Sequence, residues 1–153
     1  MPEANSSDLN KFTGGMKLSL SSALIAFICF FLPWVKACNM TLSGFDIIRH
    51  GPTEEFKAYG TIFLILVPIC AVIIIYTILQ VVKGQLDKKS ANYRILIASI
   101  VPLVTLVIFF FWLKHRLNNA PIDIFTFWFF LTIIAFAVSA LASYIEMQSP
   151  NSS

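Results

Sequence analysis

The sequence predicts an all-α membrane protein, a four-transmembrane-helix antiparallel bundle with a partly ordered first outer loop. Three observations carry that reading. The 153 residues are 58% hydrophobic and only 12% charged, where a soluble domain carries about a quarter charged residues. The deficit is gathered into runs: Leu18 to Val35, Gly60 to Val82, Ile95 to Leu113 and Ile124 to Ile145 hold no Asp, Glu, Lys or Arg. At about 1.5 Å per residue, such runs reach roughly 27 to 35 Å, enough for a hydrocarbon core of about 30 Å. Lipid offers the backbone no partners, and the runs lack the period-two alternation of barrel strands, so helices remain.

In order, these runs predict helices over about 18–35, 57–82, 92–114 and 122–146 within a single membrane domain, 1–153. The polar ends, 1–16 and 147–153, are expected to be mobile tails. Helix one carries Pro33 near its last turn, where the missing N–H weakens the ladder at the Cys29 carbonyl. Trp34 then sits at headgroup level, and Lys36 snorkels to water. Residues 36–56 form the outer loop. Within it Met40-Thr41-Leu42 alternates as a short strand does, and Phe45, Ile48 and Arg49 fit one face of a helical turn. Two readings follow: an ordered lid folded onto the helix ends, or an interfacial loop dipping its apolar side chains into lipid. Thr53 followed by Glu54 and Glu55 predicts a cap for helix two, Gly84 predicts its end, and Ser90 is the expected cap of helix three. Pro68 and Pro102 each free a carbonyl at mid-helix, those of Leu64 and Ala98, and adjacent kinks could open a small apolar cavity. The alternative is that both prolines bend helices for packing alone. In helix four, Ala135, Ser139 and Ser143 form a small-xxx-small row that permits close helix approach.

Orientation rests on the positive-inside rule. With the N-terminus inside, the inner side holds Lys11, Lys17, Lys83, Lys88, Lys89 and Arg94, and the outer side Lys36, Arg49, Lys57, Lys114 and Arg116. The denser KGQLDKKSANYR cluster between helices two and three decides for cytoplasmic termini, and the expected location is the inner membrane of a prokaryote. Cleavage of the first hydrophobic run is not expected, because Pro33-Trp34 and Lys36 fit a signal-peptidase region poorly.

Charge and chemistry exclude several classes. A net charge of +3, split among loops, does not suit nucleic acid. No charged side chain lies within a span, which argues against proton relays and ion pathways. The small multidrug transporters need a glutamate in the first helix, and this first helix has none. Cys29, Cys38 and Cys70 are isolated, unlike the Cys-x-x-Cys pairs of quinone-linked thiol oxidoreductases, and His50 and His115 fall in loops. No cofactor and no metal is expected. A long outer loop with Trp and Cys superficially resembles claudins and their tetraspan relatives. Their loop closes a disulfide with a second Cys, however, and only Cys38 is present here, so no function is carried over. FLPWVKAC followed by SGFD, residues 30–46, more closely resembles small prokaryotic four-helix membrane proteins of uncharacterised role, a likeness that implies no activity.

By subtraction, the expected function is a non-enzymatic accessory, scaffolding or assembly subunit of a larger membrane complex, touching lipids and a protein partner or further copies of itself. The expected contact residues are Trp34, Lys36, Cys38, Phe45, Asp46, Arg49, Trp112 and Trp128. The alternatives are a carrier or channel for an apolar or neutral solute or lipid, using Pro68 and Pro102, and a pigment- or haem-binding subunit using His50 or His115.

Overall fold

The computed structural model describes residues 13–37, 40–50, 54–116 and 124–148. Helix α1 (Gly14–Phe30) starts earlier than the hydropathy suggests, because Thr13 caps it: its hydroxyl oxygen accepts from Met16 N at 3.3 Å. The Gly15 N–H donates to Glu146 Oε1 at 2.7 Å, and a Cβ on Gly15 would stand 2.6 Å from that carboxylate. Glycine is what lets the far end of the chain cap the first helix.

The expected span 18–35 is corrected at its other end. Helix α1 stops at Phe30, and residues Pro33–Ala37 form a strand, β1. Proline cannot donate to the helical ladder, and the residue before it is pushed out of the helical region. Strand β1 pairs antiparallel with β2 (Met40–Ser43), with Lys36 opposite Thr41, and β2 runs directly into a short helix, α2 (Gly44–His50). The fold is therefore mostly helical with one small hairpin. Cys38 and the expected cap Thr53 lie outside the described residues.

The second predicted helix runs through 57–82 with a one-residue interruption at Ile65. Helix α3 (Glu54–Leu64) and helix α4 (Leu66–Val82) meet at a turn on Ile65, next to the Leu64 carbonyl that Pro68 leaves without its usual donor. Helix α4 ends as its glycine predicts. Gly84 takes a φ of +70°, its N–H donates to Val81 O at 3.0 Å, and Gln85 N donates to Gln80 O at 2.9 Å. That is the paired bonding of a Schellman stop. Helix α5 (Lys88–Arg116) is capped by Asp87, whose Oδ2 accepts from Ser90 N at 2.8 Å. Ser90 is thus the residue whose amide is capped, rather than the cap expected. Pro102 is buried inside α5. Helix α6 (Phe127–Gln148) begins later than the predicted 122, because Phe125 bridges Val35 and Thr126 N donates to Trp34 O at 2.9 Å.

The long helices close a ring: α1 packs on α6 and α4, and α5 packs on the same two. Alanines at 23, 26, 71, 98 and 135 are buried, which brings the helix axes close. Ile74, Ile78, Ile95, Leu106, Phe109 and Phe136 fill the space between them. Small polar side chains lie inside too. The Ser99 and Ser139 hydroxyls are 2.9 Å apart, and Ser99 Oγ is 2.8 Å from the Ile95 carbonyl. The outward faces are apolar instead: Ile28 is 59% exposed, Ile62 61%, Phe111 63% and Leu141 60%. Three stretches, Lys57–Val82, Lys88–Arg116 and Phe127–Gln148, are long and apolar enough to cross a membrane, while the apolar α1 is shorter.

Candidate functional site

The end of the bundle that carries the first loop holds most of the residues singled out from the sequence. There β1, β2 and α2 form a lid, and its construction starts at Pro33. The Cys29 carbonyl, which a continuing helix would have bonded through residue 33, accepts from Leu32 N at 3.1 Å and from Trp34 Nε1 at 2.6 Å. The indole is fully buried. Its ring meets Phe30 edge-on at 5.6 Å and Phe129 at 5.5 Å, so it ties α1, the lid and α6 together. The burial of Trp34 speaks against its expected place among the contact residues. A side chain this large, with its one polar atom satisfied internally, is an anchor and not a contact surface. The Thr126 hydroxyl donates to the Pro33 carbonyl, which fixes the second edge of β1.

Helix α2 is set by a reciprocal cap in Ser43-Gly44-Phe45-Asp46. Asp46 Oδ2 accepts from Ser43 N at 3.0 Å and from Ser43 Oγ at 2.7 Å, while Asp46 N donates to Ser43 Oγ at 3.1 Å. The Ser43 hydroxyl and then its amide hold the Asp46 carboxyl below its ordinary value, with His50 adding a smaller attraction. Below the cap, Ile47 is fully buried and its Cγ2 would stand 2.6 Å from a Cβ on Gly60, so the lid seats directly on α3.

The anchored lid leaves Lys36, Phe45 and Arg49 exposed, with Asp46 half-buried in its cap. Phe45 lies 5.9 Å from the exposed Phe31 ring, a pair the sequence reading did not single out. Trp112 is half-buried against Tyr59 and Phe109, at 5.2 and 6.0 Å. Trp128 is 36% exposed and meets Phe127 at 5.4 Å. These two tryptophans sit on the helix ends, each among ring neighbours of its own bundle. Tyr59 and Trp112 border a concavity of about 260 Å³ with His115 and Arg116. The remaining aromatic runs pack on one another: Phe125 meets both Phe110 and Phe129 at 4.8 Å.

The packing candidates fall elsewhere. Ala135, Ser139 and Ser143 are all buried in α6, with Ser139 O 3.5 Å from the Ser19 hydroxyl of α1. Pro68 is half-buried near the α3–α4 turn. An apolar groove of about 360 Å³ does lie between α4 and α5, bordered by Ala98 and Val101 on the Pro102 side and by Cys70 and Ile73 opposite. Ile73, Ile97 and Val101 are exposed along it, so it opens sideways from the bundle and not through its middle. His50 and His115 are exposed. Among the described residues, no group of three or more His, Cys, Asp or Glu side chains gathers as metal ligands would. No known protein family matches the chain, and neither curated proteins nor solved structures contain a match to it.

Proposed function

We propose that the chain is a four-span integral membrane protein without enzymatic activity, an accessory or assembly subunit whose lid end meets its partner. The single observation that carries this reading is the lid's division of labour. Trp34, Val35 and Ile47 are buried as anchors, while Lys36, Phe45 and Arg49 from the same short segment face outward. A surface held rigid before binding loses little entropy on docking, and exposed aromatic and arginine side chains are the types that dominate interface energies. The bundle interior supports this reading over a carrier. Its central space is filled by Ile74, Ile78, Ile95, Leu106 and Phe136, and the groove beside Pro102 lies on the flank.

Helix α1 is read as the fourth span. Its 17 residues reach roughly 26 Å, and it packs between α6 and α4, which belong to stretches long enough to cross. Its outward residues Leu24, Ile25 and Ile28, and Phe31 just past its end, are exposed and apolar, suited to lipid. The termini and the Lys83–Arg94 cluster then share the cytoplasmic side, in the inner membrane of a prokaryote, and the lid faces out.

Site-specific photocrosslinking in native membranes tests the partner surface. A benzophenone side chain in place of Phe45 is expected to give a discrete adduct, to another protein or a second copy, and one in place of Tyr144 at the opposite end is not. A chain that stays monomeric in mild detergent, with no adduct from Phe45, overturns the proposal.

A further inference from the structure

The end of the bundle away from the lid carries charge in a place where the helix itself disfavours it. Helix α5 opens with Lys88 and Lys89, and its first turn contains no acidic residue. A helix N-terminus is electropositive, so two cations there repel it, whereas Lys114, His115 and Arg116 in the last turn sit where the dipole welcomes them. Among the described residues this end holds Lys17, Lys83, Lys88, Lys89 and Arg94 against two carboxylates, Asp87 and Glu146. Both carboxylates are engaged locally, Asp87 by Ser90 N and Glu146 by Gly15 N. Among the described residues five basic side chains thus face two carboxylates, with Arg94 attracted to Asp87.

Two adjoining concavities lie beside them, and Arg94 borders both. One, of about 400 Å³ and mixed polarity, is formed by Lys89, Ser90, Tyr93 and Arg94 with Met147 of α6. The other is the apolar groove of about 360 Å³ between α4 and α5, which Arg94 closes at one end and Ile97 and Val101 continue. Arg94 lies about 9 Å along the helix from Lys88, and Val101 roughly 10 Å further. The charged pocket therefore falls within the headgroup layer and the groove at acyl-chain depth. Tyr76 and Tyr93, 60% and 57% exposed, flank the boundary as interfacial tyrosines do.

We infer that this surface seats an anionic phospholipid, with its phosphate between Lys89 and Arg94 and an acyl chain along the α4–α5 groove. The inference rests on the bundle lying in a membrane and not on the accessory-subunit reading. The lid-end crosslink would survive loss of this site, so the two fail separately.

The test reconstitutes the full chain in phosphatidylcholine vesicles and compares the motionally restricted fraction of spin-labelled phosphatidylglycerol with that of spin-labelled phosphatidylcholine. Each basic residue engaged contributes on the order of a fivefold preference for the anionic lipid at low salt. Wild type, with Lys89 and Arg94 both engaged, is expected to favour phosphatidylglycerol on the order of 25-fold. Lys89→Gln lowers the preference about fivefold, and the Lys89→Gln, Arg94→Gln pair nearly abolishes it. Lys114→Gln at the lid end leaves it intact. Lys89 is exposed, so its variant keeps the readout even where the double variant folds poorly. Equal restriction of both lipids by wild type, as an acidic protein segment on this face would give, overturns the inference. So does a loss in Lys114→Gln as large as that in Lys89→Gln.

Discussion

Removal of the Trp34 side chain separates an anchor from an interfacial decoration, because the two roles differ by several kcal/mol. The indole is fully buried, meets Phe30 and Phe129 edge-on, and donates to the Cys29 carbonyl. Trp34→Phe keeps a ring against both neighbours but deletes the donor. The Cys29 carbonyl still accepts from Leu32 N, so the lost bond costs about 1 kcal/mol and not a full desolvation penalty. The smaller ring forfeits burial worth roughly another 1 kcal/mol, for a total of about 2 kcal/mol. Trp34→Ala opens a cavity at the junction of α1, the lid and α6, at a cost of about 3–5 kcal/mol. SDS titration in mixed micelles, followed by far-ultraviolet circular dichroism, measures both. If Trp34→Phe matches wild type and Trp34→Ala loses under about 1 kcal/mol, the indole lies among headgroups and the anchor argument is wrong.

Two further outcomes follow from local geometry. The Asp46 carboxyl is held below its ordinary value by Ser43, so the folded lid binds that proton less readily than the unfolded chain does. Its contribution is full above about pH 4 and disappears as pH falls through the lower native value. Amide protection over 43–50, taken relative to the intrinsic exchange rate at each pH, is expected to fall in acid for wild type. Asp46→Asn should exchange faster at neutral pH, reflecting a cap weakened by about 1 kcal/mol, and show little acid response; equal protection at pH 6 and pH 3 in wild type removes the argument. In the bundle, Ser99→Ala and Ser139→Ala are expected to couple by about 0.6 kcal/mol in a double-mutant cycle, because their hydroxyls are 2.9 Å apart; strict additivity counts against that pair.

The three long apolar helices were legible because lipid imposes a length and forbids charge, and both can be counted in a sequence. What hydropathy could not separate was a lipid-facing helix from the strand that follows it. Residues 31–35 are as apolar as those before them, yet they leave the helix at Phe30, and Trp34 and Val35 are buried against the bundle. The freed Cys29 carbonyl follows from Pro33 by rule. That Trp34 reaches back to it depends on the turn between them, which no local rule specifies. Helix α6 starts late for a similar reason, since Thr126 is claimed by β1, more than ninety positions earlier. The α2 cap is a different case. Ser43-x-x-Asp46 is a recognisable capping box, and sequence rules alone could have placed it.

The two ends of the bundle are finished by opposite means, which bears on what each can recognise. At the lid end, rings and a hairpin fill the space: Trp34, Phe30, Phe125 and Phe129 interlock, and the backbone that carries Lys36, Phe45 and Arg49 is anchored on them. On the proposed partner-binding reading such a surface discriminates by shape, so a one-methyl error at Gly60, where Ile47 leaves no room for a Cβ, should matter more than the loss of an exposed charge. The other end is closed by backbone devices: the Schellman stop at Gly84, the Asp87 cap, and the Glu146 carboxylate on Gly15. Those devices engage the available carboxylates and leave the lysines and Arg94 facing outward. Long flexible cations hold no fixed shape, so the lipid preference inferred for that end would rest on charge and weaken with salt. High ionic strength should therefore strip lipid preference from the basic end while leaving lid-end crosslinks unchanged.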